Sequence, residues 1–493
     1  MIKKKQSRAW VRALLGRALP ALGALALSGC AALAPPPGVP AEVTQALQRA
    51  ALPLDSLGIL AFPLENPRHA LRLNEQRPMQ PASTMKTVTT VVALDKLGLN
   101  SRGKTELLAD VPLQGDVLPG ALYLRGGADA DLDWAALWQL LRNLREQGVR
   151  EIRGGLVVDR SLFKPARMDI GVPPFDETPE FQYNVIPDAL YLNGVLQNFL
   201  LSADQQRLSV RVAPAWSGIS VNTSAVTLDE RPCKDWDDED FWKTPVLVQS
   251  GDAVQISLQG SFPKNCQQLA ELNLLDRQWH TAKVVRQIWR ELGGVIEGAD
   301  SEAATPAQAR VLATHRDRPL AELVRGMMKS SDNPLTRIIY LRLGLVNPRA
   351  AELPRTVDAA EQTVRDWFAA KGIDSAGMVL DNGSGLSRSE RIKPAQMAGL
   401  LVAASQGPYW PELLTALPIA AVDGTLRNRL KNSPAAGQAR LKTGTLNNTV
   451  ALAGYVRDSQ QRLWVVSAML NDPLASKKGQ PVLDALIDWI ARQ

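Results

Sequence analysis

Histidine and cysteine are scarce in this sequence, and their scarcity argues against two common kinds of enzyme site. Only three of each occur among 493 residues. The histidines, His69, His280 and His315, do not have the spacing of zinc ligands. A Ser-His-Asp hydrolase is also disfavoured, because there is no Gly-x-Ser-x-Gly elbow and only these three positions offer a histidine base. We therefore expect no metal and no cofactor.

A dense basic run of the kind that binds a phosphate backbone is lacking after the first 29 residues. The formal net charge is +6 and the pI is about 9.2. Six positive charges and no acidic residue lie in those first 29 residues: Lys3, Lys4, Lys5, Arg8, Arg12 and Arg17. The rest of the chain has a formal net charge of zero, which argues against a nucleic-acid-binding surface.

The basic start precedes an apolar run, 18–29, that is shorter than the roughly 20 residues of a transmembrane helix. This pattern is typical of a secretory signal. The run ends in Leu27-Ser28-Gly29-Cys30, which resembles the bacterial lipoprotein box. We predict a lipoprotein signal peptide over 1–29 and a lipid on Cys30, with ordinary signal cleavage beside an incidental cysteine as the alternative.

The segment 30–40 is rich in proline, which favours a semi-rigid tether between the lipid and a folded domain. The protein would then lie on the periplasmic side of a membrane. Ala31, after the lipid-bearing cysteine, is compatible with sorting to the outer membrane, but the sequence does not decide which membrane holds the anchor.

Cys233 and Cys266 remain as a pair if Cys30 carries the lipid. Disulfides persist in exported proteins, so we expect these two to be bonded. Two unpaired buried thiols are the alternative.

The distribution of helix and strand patterns predicts a catalytic domain interrupted by an insertion. A helix at 42–50, a strand at 56–63 and a helix at 83–97 come first. Residues 105–275 are strand-rich and read as one or more inserted domains. From 276 onward, helices precede three sequential strands and a terminal helix. We predict an α+β fold, an antiparallel sheet covered by helices, built from 41–104 and 276–493.

Three short motifs contain the candidate catalytic residues. In Ser83-Thr84-Met85-Lys86, a serine and a lysine lie one helical turn apart on the same face. The lysine can act as a base if burial or nearby positive charge lowers its pKa. Ser331-Asp332-Asn333 lies between two helical segments, where a helix cap is the simpler interpretation.

The third motif, Lys442-Thr443-Gly444-Thr445, lies in a predicted strand. Its glycine allows close approach of a ligand, its backbone offers N–H groups, and its lysine suits a substrate carboxylate. An ordinary Lys-Thr-Gly in a strand is the alternative, and each of the three motifs alone is weak evidence.

Together and in this order, the motifs match those of β-lactamases and penicillin-binding proteins. Ser83 and Ser331 are 248 positions apart, a long gap that resembles the D-alanyl-D-alanine carboxypeptidase/endopeptidase family, the class C low-molecular-mass penicillin-binding proteins. The segments 327–330, 381–388 and 422–427 also resemble that family. The resemblance implies the serine β-lactamase/penicillin-binding-protein fold with a large insertion.

The resemblance implies cleavage of D-Ala-D-Ala termini or D-D cross-links of peptidoglycan through an acyl-enzyme, with β-lactams as inhibitors. Ser83 would be the nucleophile, Lys86 its base, and Ser331 the proton donor to the leaving amine. The N–H groups of Ser83 and Thr445 would form the oxyanion hole. The remaining substrate contacts would come from Asn333, Lys442, Thr443 and Gly444. Arg388 and Asn447 are further candidates for contacts with the stem peptide, with a surface ion pair and a turn residue as the respective alternatives.

Two other functions stay open at this point. A β-lactamase would need a deacylating base, and four glutamates lie between the second and third motifs: Glu352, Glu361, Glu390 and Glu412. A non-enzymatic envelope lipoprotein could bind peptidoglycan through the insertion. The sequence does not separate carboxypeptidase from endopeptidase action, and it leaves the role of the insertion and the oligomeric state undecided.

Overall fold

The computed structural model of the protein describes residues 38–238 and 240–493. The predicted signal peptide, Cys30 and most of the tether lie outside the described residues. No helix in the two described ranges is long and apolar enough to cross a membrane.

The helices of the described chain, in order, are α1 (Ala41–Ala50), α2 (Met85–Leu97), α3 (Trp134–Glu146), α4 (Arg277–Glu291), α5 (Leu320–Ser330), α6 (Asn333–Leu345), α7 (Thr356–Ala370), α8 (Pro394–Ser405), α9 (Trp410–Ala416), α10 (Ala475–Lys478) and α11 (Gln480–Ala491).

The strands, in order, are β1 (Leu57–Pro63), β2 (Leu71–Leu73), β3 (Lys104–Ala109), β4 (Val117–Leu118), β5 (Leu122–Gly127), β6 (Glu151–Ile152), β7 (Leu156–Asp159), β8 (Gln197–Ala203), β9 (Leu208–Ala213), β10 (Ile219–Asp229), β11 (Trp242–Ser250), β12 (Ala253–Pro263), β13 (Gln267–Leu272), β14 (Val295–Ile296), β15 (Ser301–Glu302), β16 (Arg310–Arg316), β17 (Arg440–Leu446), β18 (Thr449–Arg457) and β19 (Leu463–Asn471).

The sheet of the catalytic domain has the order β17-β18-β19-β1-β2 and is antiparallel throughout. Successive residues of β1 point to opposite faces, as the period of a strand requires. Leu60 packs into a core formed with α2 and α5 to α9, whereas Ile59 packs into a second core with α1 and α11. The predicted α+β fold, an antiparallel sheet covered by helices, is confirmed.

The middle segment contains its own sheets and cores. A five-stranded sheet of order β15-β7-β5-β3-β16 packs against α3 and α4. Two three-stranded sheets, β10-β12-β11 and β13-β8-β9, enclose another core. A disulfide joins Cys266, which is buried in the core between these two sheets, to Cys233, which is half-buried beside it.

The predicted division of the chain at 104 and 276 remains a prediction, but the packing bears on its second boundary. Helix α4 and strand β16 both follow residue 276, yet they share the core of the middle segment. Strand β16 pairs with β3 from Arg310 opposite Ala109 to Arg316 opposite Lys104. Because domain boundaries fall where few contacts cross, this packing favours an insertion that ends near residue 317.

Candidate active site

Ser83 lies in a tight turn immediately before α2. The turn, Ala82–Thr84, is a 3-10 helix that begins with Ala82 in the left-handed region at φ 46°. It packs against β17 at Gly444, where a Cβ would lie 2.7 Å from the carbonyl oxygen of Pro81 and 3.0 Å from the nitrogen of Ser83. Only glycine at this position lets the third motif approach the first so closely.

Lys86 contacts three oxygens from three separate parts of the chain. Its Nζ lies 3.0 Å from Ser83 Oγ, 2.5 Å from Asn333 Oδ1 and 2.5 Å from the carbonyl oxygen of Ser384. The side chain is completely buried. Burial, and after it the positive charge of Lys442, hold the pKa of Lys86 well below its usual range.

The contacts of Lys86 orient its lone pair when the amine is neutral. A neutral amine has two N–H donors and one lone pair, and the oxygens of Asn333 and Ser384 can only accept hydrogen bonds. Each of them takes one N–H, so the lone pair remains for the hydroxyl of Ser83. The arrangement therefore suits removal of a proton from Ser83 Oγ.

Ser331 and Lys442 form a second hydrogen-bonded pair. Lys442 Nζ donates to Ser331 Oγ at 2.9 Å and to the carbonyl oxygen of Thr443 at 2.8 Å. Ser331 ends α5 in the left-handed conformation, φ 63°. Burial lowers the pKa of Lys442 to about 7. Lys442 can therefore take up or release a proton near neutral pH while it is hydrogen-bonded to Ser331.

Asp332 and Asn333 begin α6. The carboxylate of Asp332 caps the helix by accepting from the Leu335 N–H at 2.8 Å, which is the capping role considered for this motif. Asn333 Nδ2 donates to the carbonyl oxygen of Tyr183 in the insertion at 3.0 Å. That bond fixes the amide so that its oxygen faces Lys86.

The third motif lies on β17, the edge strand of the sheet. Gly444 is buried against the Ser83 turn, while Thr445 is exposed. Thr443 Oγ1 lies 2.8 Å from Thr425 Oγ1, so two hydroxyls stand together beside Lys442. An edge strand leaves main-chain groups available on its outer side, as an oxyanion hole and an extended substrate require.

The structure brings most of the predicted site residues together, although their catalytic roles remain predictions. Arg388 and Asn447 lie apart from the hydrogen-bonded cluster. Arg388 donates to the carbonyl oxygen of Phe175 in the insertion at 2.7 Å, and its guanidinium lies 5.2 Å from the centre of the Phe175 ring. Asn447 is exposed in the turn between β17 and β18.

Sequence reasoning missed three contributors to the site: the main-chain carbonyls of Ser384 and Tyr183, and the hydroxyl of Thr425. A carbonyl group has no sequence signature of its own. Ser384 and Thr425 do lie in two of the flanking segments, 381–388 and 422–427, that resemble the family. The resemblance of those two segments to the family was the one sequence feature that could have pointed to Ser384 and Thr425.

Four glutamates were considered as deacylating bases for a β-lactamase: Glu352, Glu361, Glu390 and Glu412. Within the described part of the chain, none of them has a hydrogen bond to Ser83 or Lys86, and two form ion pairs with surface arginines. Glu390 is buried beneath the loop 381–387 and accepts main-chain N–H bonds. No observation here favours the β-lactamase alternative.

Solved structures identify the class of fold. Penicillin-binding protein 4 from Haemophilus influenzae matches with a TM-score of 0.77 and 24% identity, over 92% of this chain and 99% of that one. The same protein complexed with a β-lactam matches with a TM-score of 0.70 and 22% identity, over the same shares. The fold is that of a penicillin-binding protein.

Sequence comparison identifies the family. Residues 39–493 match the D-Ala-D-Ala carboxypeptidase 3 (S13) family, and the chain belongs to this family. D-alanyl-D-alanine carboxypeptidase DacB from Haemophilus influenzae is 26% identical over 388 residues, 78% of each protein. A D-alanyl-D-alanine carboxypeptidase from an Actinomadura species is 29% identical over 395 residues, 76% of this chain and 70% of that relative. The family inferred from the motifs is confirmed, and the chain is a serine D-D-peptidase by class.

Proposed function

We propose that this protein hydrolyses D-Ala-D-Ala termini, D-D cross-links, or both, of peptidoglycan stem peptides through an acyl-enzyme on Ser83. The observation that carries the proposal is the environment of Lys86. A buried lysine with a lowered pKa, two acceptors for its N–H groups and Ser83 Oγ at 3.0 Å has the arrangement of a general base for a serine nucleophile.

Acylation begins when Ser83 Oγ attacks the carbonyl carbon of the penultimate D-alanine and Lys86 Nζ takes the hydroxyl proton. The main-chain N–H groups of Ser83 and Thr445 hold the oxyanion of the tetrahedral intermediate. Loss of one such donor in other acyl-transfer enzymes slows the reaction by ~10²–10³-fold. The C–N bond then breaks, and the leaving amine departs with a proton.

Ser331 and Lys442 supply that proton. The hydroxyl of Ser331 protonates the leaving amine and is reprotonated by Lys442, whose ammonium lies 2.9 Å away. Lys442 and Thr443 also hold the substrate carboxylate, and Asn333 holds the amide of the peptide. Water then hydrolyses the ester on Ser83.

β-Lactams would acylate Ser83 by the same route and leave slowly. The β-lactam complex of the Haemophilus influenzae protein, which has the same fold, supports this part of the proposal. A further contact with the stem peptide is proposed at Arg388. This arginine lines a cavity of about 1060 Å³ between the insertion and the catalytic domain. Another such contact is proposed at Asn447, which is exposed beside β17.

The proposed location is the periplasmic side of a membrane, with a lipid on Cys30. The leader and the lipoprotein-box resemblance support it, and so does a disulfide between Cys233 and Cys266. Globomycin, which blocks lipoprotein signal cleavage, should cause the unprocessed precursor to accumulate in cells. Unchanged electrophoretic mobility in its presence would contradict the lipid anchor.

Incubation of the protein with a purified cross-linked muropeptide dimer tests which bond it cleaves. Formation of monomers, detected by mass spectrometry, indicates endopeptidase action, and loss of one alanine indicates carboxypeptidase action. The Ser83→Ala variant should give neither. Failure of the wild type to cleave any D-D peptide while it still binds sacculi would favour the non-enzymatic alternative.

A further inference from the structure

Glu390 is a buried carboxylate whose side-chain hydrogen bonds are all made with one loop of the described chain. Its Oε1 accepts the main-chain N–H groups of Gly383 at 2.9 Å, Asn382 at 3.2 Å and Asp381 at 3.3 Å. Its Oε2 is buried and has no hydrogen-bond partner among the described residues. Three bonds to consecutive N–H groups fix the course of the main chain at this point.

The residue that follows those three N–H groups is Ser384, whose carbonyl oxygen accepts from Lys86 at 2.5 Å. The loop is closed on itself by Asn382. Its Oδ1 accepts from the N–H of Ser384 at 3.0 Å and its Nδ2 donates to the carbonyl of Leu386 at 2.9 Å. The direction of the Ser384 carbonyl is therefore set by the segment that Glu390 holds.

The same loop abuts the nucleophile. Gly385 has φ 85°, and a Cβ at this position would overlap the carbonyl oxygen of Ala82, directly before Ser83. A small displacement of the loop would therefore move two groups at once: the Ser384 carbonyl that accepts from Lys86, and the main chain of Ala82 beside Ser83.

Charged and titratable groups surround Glu390 from two sides. Asp381 belongs to the loop itself, while Lys86 on α2 and Arg337 and Tyr340 on α6 interact with the carboxylate electrostatically. Burial, and after it the charge of Asp381, raise the pKa of Glu390 to about 7. The acceptor role of Oε1 does not depend on this charge, because a protonated carboxyl group still accepts through its carbonyl oxygen.

We propose that Glu390 is a positioning residue for the base, holding the loop 381–383 so that the carbonyl of Ser384 takes one N–H of Lys86. The second N–H goes to Asn333, and the lone pair of Lys86 is left for Ser83. This role rests on the proposed acyl-enzyme function.

The test compares Glu390→Gln with Glu390→Leu. The glutamine retains an oxygen that accepts the three N–H bonds, whereas the leucine leaves them unpaired. We expect Glu390→Gln to be acylated by a fluorescent penicillin within about threefold of the wild-type rate, since the hydrogen bonds are kept. We expect Glu390→Leu to be ~10²-fold slower, because small misplacements of reacting groups have effects of that size.

Equilibrium binding separates positioning of the base from damage to the substrate site. The comparison is made in proteins that carry Ser83→Ala and therefore cannot be acylated. Calorimetry should give the same affinity for a D-Ala-D-Ala peptide whether residue 390 is the native glutamate or leucine. Glu361→Leu, at an ion pair with Arg365 on the surface of α7, serves as the control and should be acylated at the wild-type rate. If Glu390→Leu does not fold, Glu390→Asp serves in its place: its carboxylate is one methylene shorter and reaches the three N–H groups poorly, so it should be acylated about tenfold more slowly, the effect of about 1.4 kcal/mol of lost hydrogen bonding.

Acylation of Glu390→Leu, or of Glu390→Asp where the leucine variant does not fold, at the wild-type rate would overturn the role of Glu390 while the proposed function stands. Equal losses in peptide binding and in acylation would also overturn it, because the loop would then shape the substrate site. A wild-type protein that no penicillin acylates would remove both proposals.

Discussion

The side-chain amide of Asn333 donates to the main-chain carbonyl of Tyr183 at 3.0 Å, and this bond links the second motif to the insertion. The oxygen of the same amide accepts from Lys86 at 2.5 Å. One side chain therefore connects the inserted segment to the proposed base. The inserted segment therefore contributes to the geometry of the site through the main-chain carbonyl of Tyr183.

Asn333→Asp tests this connection through the pKa of Lys86. A carboxylate next to Lys86 favours the ammonium form and raises its pKa. The neutral base then exists only at higher pH, so acylation should fall at neutral pH and recover as the pH increases. The rate of labelling by a fluorescent penicillin between about pH 6 and 10 measures the shift. Asn333→Ala, which adds no charge, should be slow throughout; an Asn333→Asp profile that parallels the wild type would contradict the role of Lys86.

Lys442 should give the protein a measurable dependence of stability on pH. Its pKa is about 7 in the folded state, against about 10.4 for an unfolded lysine. Between these two pH values Lys442 is protonated in the unfolded chain and neutral in the folded protein. The free energy of unfolding therefore rises as the pH increases and decreases as the pH falls towards 7. Lys442→Met should lack this contribution to the pH dependence of stability.

Urea unfolding at several pH values between about 7.5 and 9.5 measures the difference between Lys442→Met and the wild type. The stability advantage of the variant should shrink by about 1 kcal/mol per pH unit as the pH increases. Parallel stability curves for the two proteins would contradict the lowered pKa of Lys442.

The disulfide should stabilise the insertion without taking part in catalysis. Cys233 and Cys266 are 33 positions apart; Cys266 lies in the core of the two three-stranded sheets and Cys233 packs against that core. Loop closure of this length stabilises a fold by about 3–4 kcal/mol in the chain-entropy model. A Cys233→Ser, Cys266→Ser double variant should lose stability of that order in urea unfolding. Its penicillin labelling under native conditions should match that of the wild type, and loss of labelling in a folded variant would be the contrary result.

The sequence predicted the catalytic half of the fold well, because that half follows simple patterns. The three C-terminal strands are adjacent both in sequence and in the sheet, and the motifs lie on the predicted helix, interhelical loop and strand. Helix α8 was not predicted, since its buried and nearly uniform apolar sequence has no amphipathic period. The strand-rich pattern of 105–275 also did not show that β6 and β7 are two separate strands. The break falls at Gly154, where a Cβ would clash with the backbone at Gly120 and Ala121.

The parts of the site that could not be predicted come from the main chain and from distant segments. The carbonyls of Ser384 and Tyr183 are 298 and 150 positions from the side chains they contact. No local pattern brings such groups together. Glu390 appeared in the sequence only as one of four glutamates, and its burial and its three N–H bonds became evident only in the fold.

The identity of the residue that penicillin acylates tests the central claim most directly. The purified protein should be incubated with a penicillin and analysed by intact mass and by mass spectrometry of its peptides. We expect the wild type to gain the mass of one penicillin, with the adduct on Ser83, and Ser83→Ala to gain none. An adduct on another residue, or equal labelling of Ser83→Ala, would contradict the account.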